Sequence, residues 1–190
     1  MNYIVFDIET YSPSGSNKID TKEFRSSVAC AYISWTDQYV GFFEDQTEKL
    51  LEMFVEADLV VGYNHLWFDL PVLQKYSSYN LMDLSSYDIM VEFEKKAGFK
   101  AKLDDLAKAT LGTAKTDSYE VYKHYYKDDK WFELLDYCMH DVQITNSLFQ
   151  KNLRGDKLFY QDVSALHEYV LDIPVAAPRK IFDLGSSTLI

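Results

Sequence analysis

The spacing of hydrophobic residues in the first third of the chain is that of β-strands. Short runs rich in β-branched and aromatic residues, each bounded by turn-forming residues, predict strands at 2–6, 27–35, 38–43 and 59–63. Thr36-Asp37 stands between the second and third runs and predicts a turn. We therefore expect a three-stranded meander followed by a further strand.

The spacing becomes helical after the third strand and again through the later part of the chain. Apolar residues three and four positions apart predict helices at 46–57, 87–98, 102–111, 117–126 and 130–152, and Leu70-Pro71 permits another helix to start there. The segments 158–160 and 166–173 fit either a helical turn with a final strand or an edge hairpin. Strands first and helices later predict an α/β fold with a mixed sheet flanked by helices.

The composition is that of one compact domain. At 190 residues with 47% hydrophobic content, the chain can bury a substantial core and is short enough to remain a single unit. We expect this domain to span 1–174, followed by a tail or linker at 175–190. No apolar run approaches the ~18 residues that a membrane helix needs. The lack of a basic leader and two cysteines in apolar segments predict a cytoplasmic location.

The formal net charge of −11 argues against a protein that coats nucleic acid, because nonspecific affinity comes largely from Lys and Arg. Any contact with nucleic acid must therefore be local. The segment 95–115 departs from the average, with six lysines and two aspartates. It fits a solvated helical face and a phosphate-contacting patch equally well.

Two acidic positions follow predicted strands. Asp7 and Glu9 are one residue apart at the end of the first strand, so both side chains leave the same face of the sheet. Such a pair either shares a cation or stands on an exposed strand without one. Asp69 follows the strand at 59–63 among Trp, Phe and Leu residues, where it is either a metal ligand or the cap of the helix that starts at Leu70.

A third acidic position lies on the long predicted helix. Tyr137 and Asp141 are four residues apart and project from the same face of it. A phenol beside a metal-bound acid can orient an attacking water, and the alternative is a buried tyrosine with an exposed aspartate. Phosphodiester hydrolysis by two metals needs several carboxylates around ions about 3.5 to 4 Å apart. Since Mg²⁺ prefers oxygen ligands, three or four carboxylates suffice.

Taken in order, the segments 6–10, 64–69 and 137–141 resemble the three exonuclease motifs of the DEDD superfamily, which has an RNase H-like (DnaQ-like) fold. The third motif, a tyrosine followed by three residues and then an aspartate, is similar to that of the DEDDy branch. This branch includes proofreading domains of family A and B DNA polymerases. Asp136 stands where the sibling branch has histidine. The segments 62–64, 68–73 and 103–112 look most like the corresponding segments of the bacterial YprB-like group, whose members are related to the family B polymerase domain.

The resemblance covers roughly 2–160 and implies an RNase H-like α/β fold with a mixed central sheet of about five strands. It implies a 3′-to-5′ exonuclease that uses two Mg²⁺ or Mn²⁺ ions to release nucleoside monophosphates from the 3′ end of single-stranded nucleic acid, with DNA favoured. The residues implied are the metal ligands Asp7, Glu9, Asp69 and Asp141, the water-positioning Tyr137, and the substrate contacts Ile8, Thr10, Asn64 and Phe68.

Two alternatives keep the same fold. One is an exoribonuclease that acts on short RNA, and the other is a non-catalytic module that binds nucleic acid or a helicase or polymerase partner. If the protein is an exonuclease, a helicase or polymerase partner would also deliver this acidic enzyme to its substrate.

Overall fold

The structure is a computed structural model, and it describes residues 1–15, 20–113 and 128–172. Five strands form the central sheet: β1 (Tyr3–Tyr11), β2 (Arg25–Ile33), β3 (Gln38–Phe43), β4 (Leu59–Gly62) and β5 (Ser86–Asp88). Their order is β3-β2-β1-β4-β5. β2 runs antiparallel to β1 and β3, whereas β4 runs parallel to β1 and β5. The predicted α/β fold with a mixed sheet is confirmed.

Helices cover both faces of the sheet. They are α1 (Thr47–Glu56), α2 (Asp69–Leu73), α3 (Ile89–Ala97), α4 (Leu103–Leu111) and α5 (Trp131–Leu153). One core cluster lies between the sheet and α5, and a second lies between the other face and the pair α1 and α2. Within the described ranges, no helix has the length and apolar character to span a membrane.

β1 supplies side chains to both cores because successive residues of a strand point to opposite faces. Val5 belongs to the cluster beneath α5, whereas Ile4, Phe6 and Ile8 belong to the cluster beneath α1 and α2. The odd-numbered positions of β1 therefore face α5. This alternation places any functional side chain at 7 or 9 under the long helix.

The structure moves several predicted boundaries. β1 continues to Tyr11, five residues beyond its predicted end at Phe6, because it pairs with β2 along this whole length. The predicted helix at 87–98 was wrong at its start, where the chain forms strand β5 before α3 begins. A strand of three residues is determined by its pairing with β4 and carries too short a pattern to be detected from sequence.

The C-terminal part of the described chain forms a hairpin. β6 (Leu158–Gln161) and β7 (Leu166–Tyr169) pair antiparallel in a two-stranded sheet of their own. The edge-hairpin interpretation is therefore correct. The predicted helix at 117–126 and the tail at 175–190 lie outside the described residues, and the domain boundary at 174 stays a prediction.

Gly62, at the end of β4, gives a first prediction. A β-carbon added there would lie 2.9 Å from Cγ and Nδ1 of the His65 ring, and His65 is fully buried. We expect Gly62→Ala to lower the free energy of unfolding by about 1–3 kcal/mol, because overpacking forces the ring to move. Denaturant unfolding measures this change. In a His65→Ala background the added cost of Gly62→Ala should fall, and equal costs in both backgrounds would contradict the clash.

Candidate metal centre

Three carboxylates converge between the central strand and the long helix. Asp7 and Glu9 on β1 and Asp141 on α5 each offer an oxygen, and these oxygens lie within 4.8 Å of one another. The alternation along β1 turns both of its acids toward α5, and Asp141 is only 5% exposed. Two like charges 4 Å apart repel by about 4 kcal/mol near a protein surface, and a bound cation would relieve such repulsion here.

A bulge fixes the backbone at Glu9. Glu9 pairs with Val28, but the register shifts immediately afterwards, so that Thr10 pairs with Ser26. Ser27, the additional residue of β2, donates a hydrogen bond from Oγ to the Glu9 carbonyl at 2.9 Å. Bulges re-aim side chains and are common beside active sites. The bulge therefore sets the direction in which β1 leaves the carboxylate cluster.

Cys138 lies beneath Asp7 on the same helix as Asp141. Its Sγ is 3.4 Å from the Asp7 carbonyl oxygen and 3.7 Å from Asp7 Oδ2. Burial raises the pKa of the Cys138 thiol well above its usual value, and the neighbouring Cys30 and the acids raise it further. The thiol is therefore neutral and adds no negative charge to the cluster.

Asp69 is buried beside the cluster but lies outside the 4.8 Å group. It is the first residue of α2, whose N-cap is Phe68, so Asp69 does not occupy the cap position itself. Burial raises the pKa of its carboxyl to about 7, although hydrogen bonds from the backbone of Ile8 and of Asp69 itself lower it in part. Because Ile8 stands between Asp7 and Glu9, Asp69 is anchored to the segment of β1 that carries them.

The remaining predicted site residues have different surroundings. Tyr137 is half-buried one helical turn before Asp141. Thr10 follows Glu9 across the bulge. Asn64 adopts a left-handed conformation with φ 63° in the loop after β4, and the Phe68 ring lies 5.8 Å from that of Phe24.

Ile8 differs from these residues because its side chain is buried in the core beneath α1 and α2. Its backbone is the part that contacts Asp69.

Asp88 is a positioning residue that sequence reasoning missed. Its buried carboxylate accepts hydrogen bonds from the backbone N–H groups of Asn64 at 2.8 Å and Leu66 at 3.1 Å, and also caps α3 through Met90 and Val91. One carboxylate thus joins α3 to the loop that leads into Asp69. A signal existed, because Asp directly before the apolar Ile89-Met90 is a typical N-cap, but the predicted helix began two residues too early to show it.

His65 fills the space behind this loop. Its ring lies 5.5 Å from that of Phe6, and Nδ1 is 3.5 Å from Asp88 Oδ2. Burial lowers the pKa of His65 to about 4, and the attraction of Asp88 offsets only part of the effect. The imidazole is therefore neutral at pH 7.

A family model described as the RNase H superfamily matches residues 4–152. The chain belongs to the RNase H superfamily. The matched range includes all four predicted metal ligands. Membership supports a nuclease function in general, and the cluster of Asp7, Glu9 and Asp141 is consistent with binding of a divalent metal.

A solved structure has a similar fold. It is that of the family B DNA polymerase from the hyperthermophilic archaeon Pyrobaculum calidifontis, with a TM-score of 0.62 and 19% sequence identity. The similarity covers 80% of this chain and 24% of that one, so the chain spans about a quarter of the polymerase chain. At this identity the likeness shows the fold alone. No curated protein sequence matches the chain. The predicted superfamily and the likeness to family B polymerases are confirmed.

The neutral His65 makes the stability of the protein depend on pH. Because the pKa of His65 is lowered in the folded state, its stabilising contribution is present above pH 6.5 and is lost as the pH falls toward about 4. The contribution of His65 to the change in the free energy of unfolding with pH reaches at most about 1.4 kcal/mol per pH unit. We expect His65→Gln to show a shallower loss of stability over this range in denaturant unfolding. Parallel pH profiles for the variant and the wild type would contradict this assignment.

Proposed function

We propose that this member of the RNase H superfamily is a 3′-to-5′ exonuclease of the DEDDy type. It removes nucleoside monophosphates from the 3′ end of single-stranded nucleic acid, with DNA the favoured substrate. The observation that carries the proposal is the convergence of Asp7, Glu9 and Asp141 within 4.8 Å from two elements far apart in sequence. A charged cluster of this kind at the centre of a domain is costly without a cation.

The donor set fits Mg²⁺ or Mn²⁺, because every candidate ligand is a carboxylate oxygen. Asp7, Glu9 and Asp141 would hold one ion, and Asp69 would take part in holding a second. When bound, such ions supply the Lewis acidity that activates water and stabilises the leaving oxygen. Asp69 would ionise as it becomes a ligand, since a cation offsets the burial that raises its pKa to about 7.

The residues of the chain orient the reaction. Tyr137 lies one turn from Asp141 and directs its phenol to the attacking water, while Thr10 and Asn64 contact the terminal nucleotide. The water oxygen attacks the last phosphodiester, and the bond from phosphorus to the 3′ oxygen of the preceding nucleotide breaks. That oxygen gains a proton, and the water loses one. The products are a nucleoside 5′-monophosphate and a strand shortened by one residue.

Metal binding should stabilise the fold. We expect Mn²⁺ or Mg²⁺ to raise the melting temperature of the wild type, because an ion at 100 times its dissociation constant contributes about 2.7 kcal/mol. Asp141→Asn should reduce this rise and, with a chelator present, be as stable as the wild type or more so. Glu48→Gln, on the exposed side of α1, is the matched control and should respond like the wild type. An equal rise in the melting temperature of all three proteins would contradict the proposed metal site.

Cleavage should require metal and proceed from the 3′ end. With Mn²⁺, strands labelled at the 5′ end should show a ladder that shortens one nucleotide at a time, and strands labelled at the 3′ end should release labelled mononucleotide at once. Tyr137→Phe should lower kcat by about 100-fold through misplacement of the water, whereas Tyr160→Phe on β6 is the control. Asp7→Ala should abolish cleavage.

Parallel digestion of matched DNA and RNA strands separates the two substrates. Faster digestion of RNA would replace DNA by RNA as the substrate and keep the chemistry. No cleavage of either strand by a protein that binds Mn²⁺ would favour a non-catalytic module.

A further inference from the structure

The central sheet has an open edge at β3. This strand pairs with β2 on one side, and within residues 1–15, 20–113 and 128–172 no strand pairs with its other side. β3 contains no charged residue and no proline, and its ladder with β2 runs without a bulge. Charge, proline and bulges are the usual means by which an edge strand is kept from pairing with another chain. The outer edge of β3 lacks all three.

Alternate residues of β3 direct their backbone groups to this outer edge. Gln46 Oε1 accepts a hydrogen bond from the Phe43 N–H at 3.2 Å, so this N–H points away from β2. The N–H and C=O groups of every second residue in an antiparallel strand point the same way, so those of Tyr39 and Gly41 also point to the outer edge. The middle of β3 therefore presents donors and acceptors to a further strand.

The same edge carries aromatic surface at both ends of the strand. The Tyr39 hydroxyl accepts a hydrogen bond from Asn146 on α5 at 2.9 Å, and Tyr39 is 40% exposed. The Phe43 ring meets the ring of Phe132 edge to face at 6.3 Å, and Phe132 is 75% exposed. Gly41 lies between these aromatic residues and has no side chain. Rings that are fixed in this way lose little freedom when a partner covers them.

A two-fold axis through Gly41 makes this edge complementary to itself. When β3 of a second copy runs antiparallel, Gly41 lies opposite Gly41 of that copy, and Tyr39 lies opposite Phe43 of that copy on both sides of the axis. Opposed aromatic side chains stabilise an antiparallel pair by roughly 0.2–1 kcal/mol each. An identical strand thus supplies both the backbone partners and the aromatic partners that this edge needs, as in other two-fold interfaces.

Charge also favours this edge as a contact between copies. Each copy has a net charge of −11, so acidic surfaces of two copies repel. β3 is free of charge, and the two acids that flank it have partners in their own chain. Asp37 accepts a hydrogen bond from the Tyr32 hydroxyl at 2.8 Å, and Glu44 pairs with Arg25 at 2.6 Å. Two copies therefore meet little repulsion at this edge.

We propose that the protein forms a symmetric dimer in which β3 pairs antiparallel with β3 of a second copy about Gly41. The two five-stranded sheets then become one continuous sheet. A single strand pair covers less than the ~800 Å² per partner of a typical stable interface, so we expect dimerisation in the micromolar range. The inference goes beyond the proposed function and does not depend on it, because the pairing involves none of the carboxylates.

Sedimentation velocity in EDTA, over about 1–300 µM protein, tests the dimer without metal or substrate. We expect the wild type to pass from monomer to dimer in this range. Tyr39→Lys should weaken dimerisation by about 10-fold or more, because it removes an aromatic pair on each side of the axis and brings charge to the edge. Leu166→Lys is the matched control, since Leu166 is 56% exposed on β7 and should leave dimerisation unchanged.

Melting temperatures of both variants check that they fold. A wild type that stays monomeric throughout the range overturns the inference, whatever the variants do. It is also overturned if Tyr39→Lys dimerises like the wild type, or if Leu166→Lys alone disrupts the dimer, which would place the contact on the hairpin. None of these results bears on cleavage, and absence of cleavage overturns only the proposed function.

Cross-linking tests the register of the two strands. Opposed residues of an antiparallel pair lie about 5.5 Å apart, which a disulfide can span. With oxidised glutathione, a mixture of Tyr39→Cys and Phe43→Cys proteins should form a covalent dimer that neither variant forms alone. The natural cysteines, Cys30 and Cys138, are buried and give no background. Equal cross-linking of Tyr39→Cys alone, or none in the mixture, would overturn pairing about Gly41.

Discussion

The carboxylates of Asp7, Glu9 and Asp141 are held close together, and the packing around them must oppose their repulsion. Their oxygens lie within 4.8 Å of one another, between a central strand and a buried helix. The apolar cores on the two faces of the sheet hold β1 and α5 in place against this repulsion. In our proposal, the folded scaffold gathers these carboxylates before a divalent cation binds, and part of the affinity for the metal is relief of their mutual repulsion.

Two buried titratable side chains in this part of the protein are neutral. Cys138 contacts Asp7 as a neutral thiol, and His65 is a neutral imidazole because burial outweighs its attraction to Asp88. Asp88 is the one buried carboxylate nearby whose role is plainly structural, since four backbone N–H groups donate to it. Through these hydrogen bonds, the end of β5 holds the loop that precedes Asp69, whose carboxyl contacts the backbone of β1 at Ile8.

Membership of the RNase H superfamily and the fold shared with a family B DNA polymerase agree with this chemistry. The net charge of −11 is compatible with a nuclease, because nucleic acid need not be held by a broad basic surface. In our proposed function, metal ions would neutralise the phosphate at the scissile bond.

Local patterns in the sequence predicted four of the five strands of the central sheet and the acids of the candidate site, because periodicity and motif spacing are local properties. They placed Asp7 and Glu9 on one face of β1, since that follows from the geometry of any strand. The motif resemblance predicted that Asp141 joins them, but the packing of α5 against β1 brings the oxygens within 4.8 Å and leaves Asp69 outside the group. The contacts by which Asp88 ties the loop to α3 also depend on the folded structure. Strand β5 was equally hidden from the sequence, because it arises from pairing with β4, which lies more than 20 residues earlier in the chain.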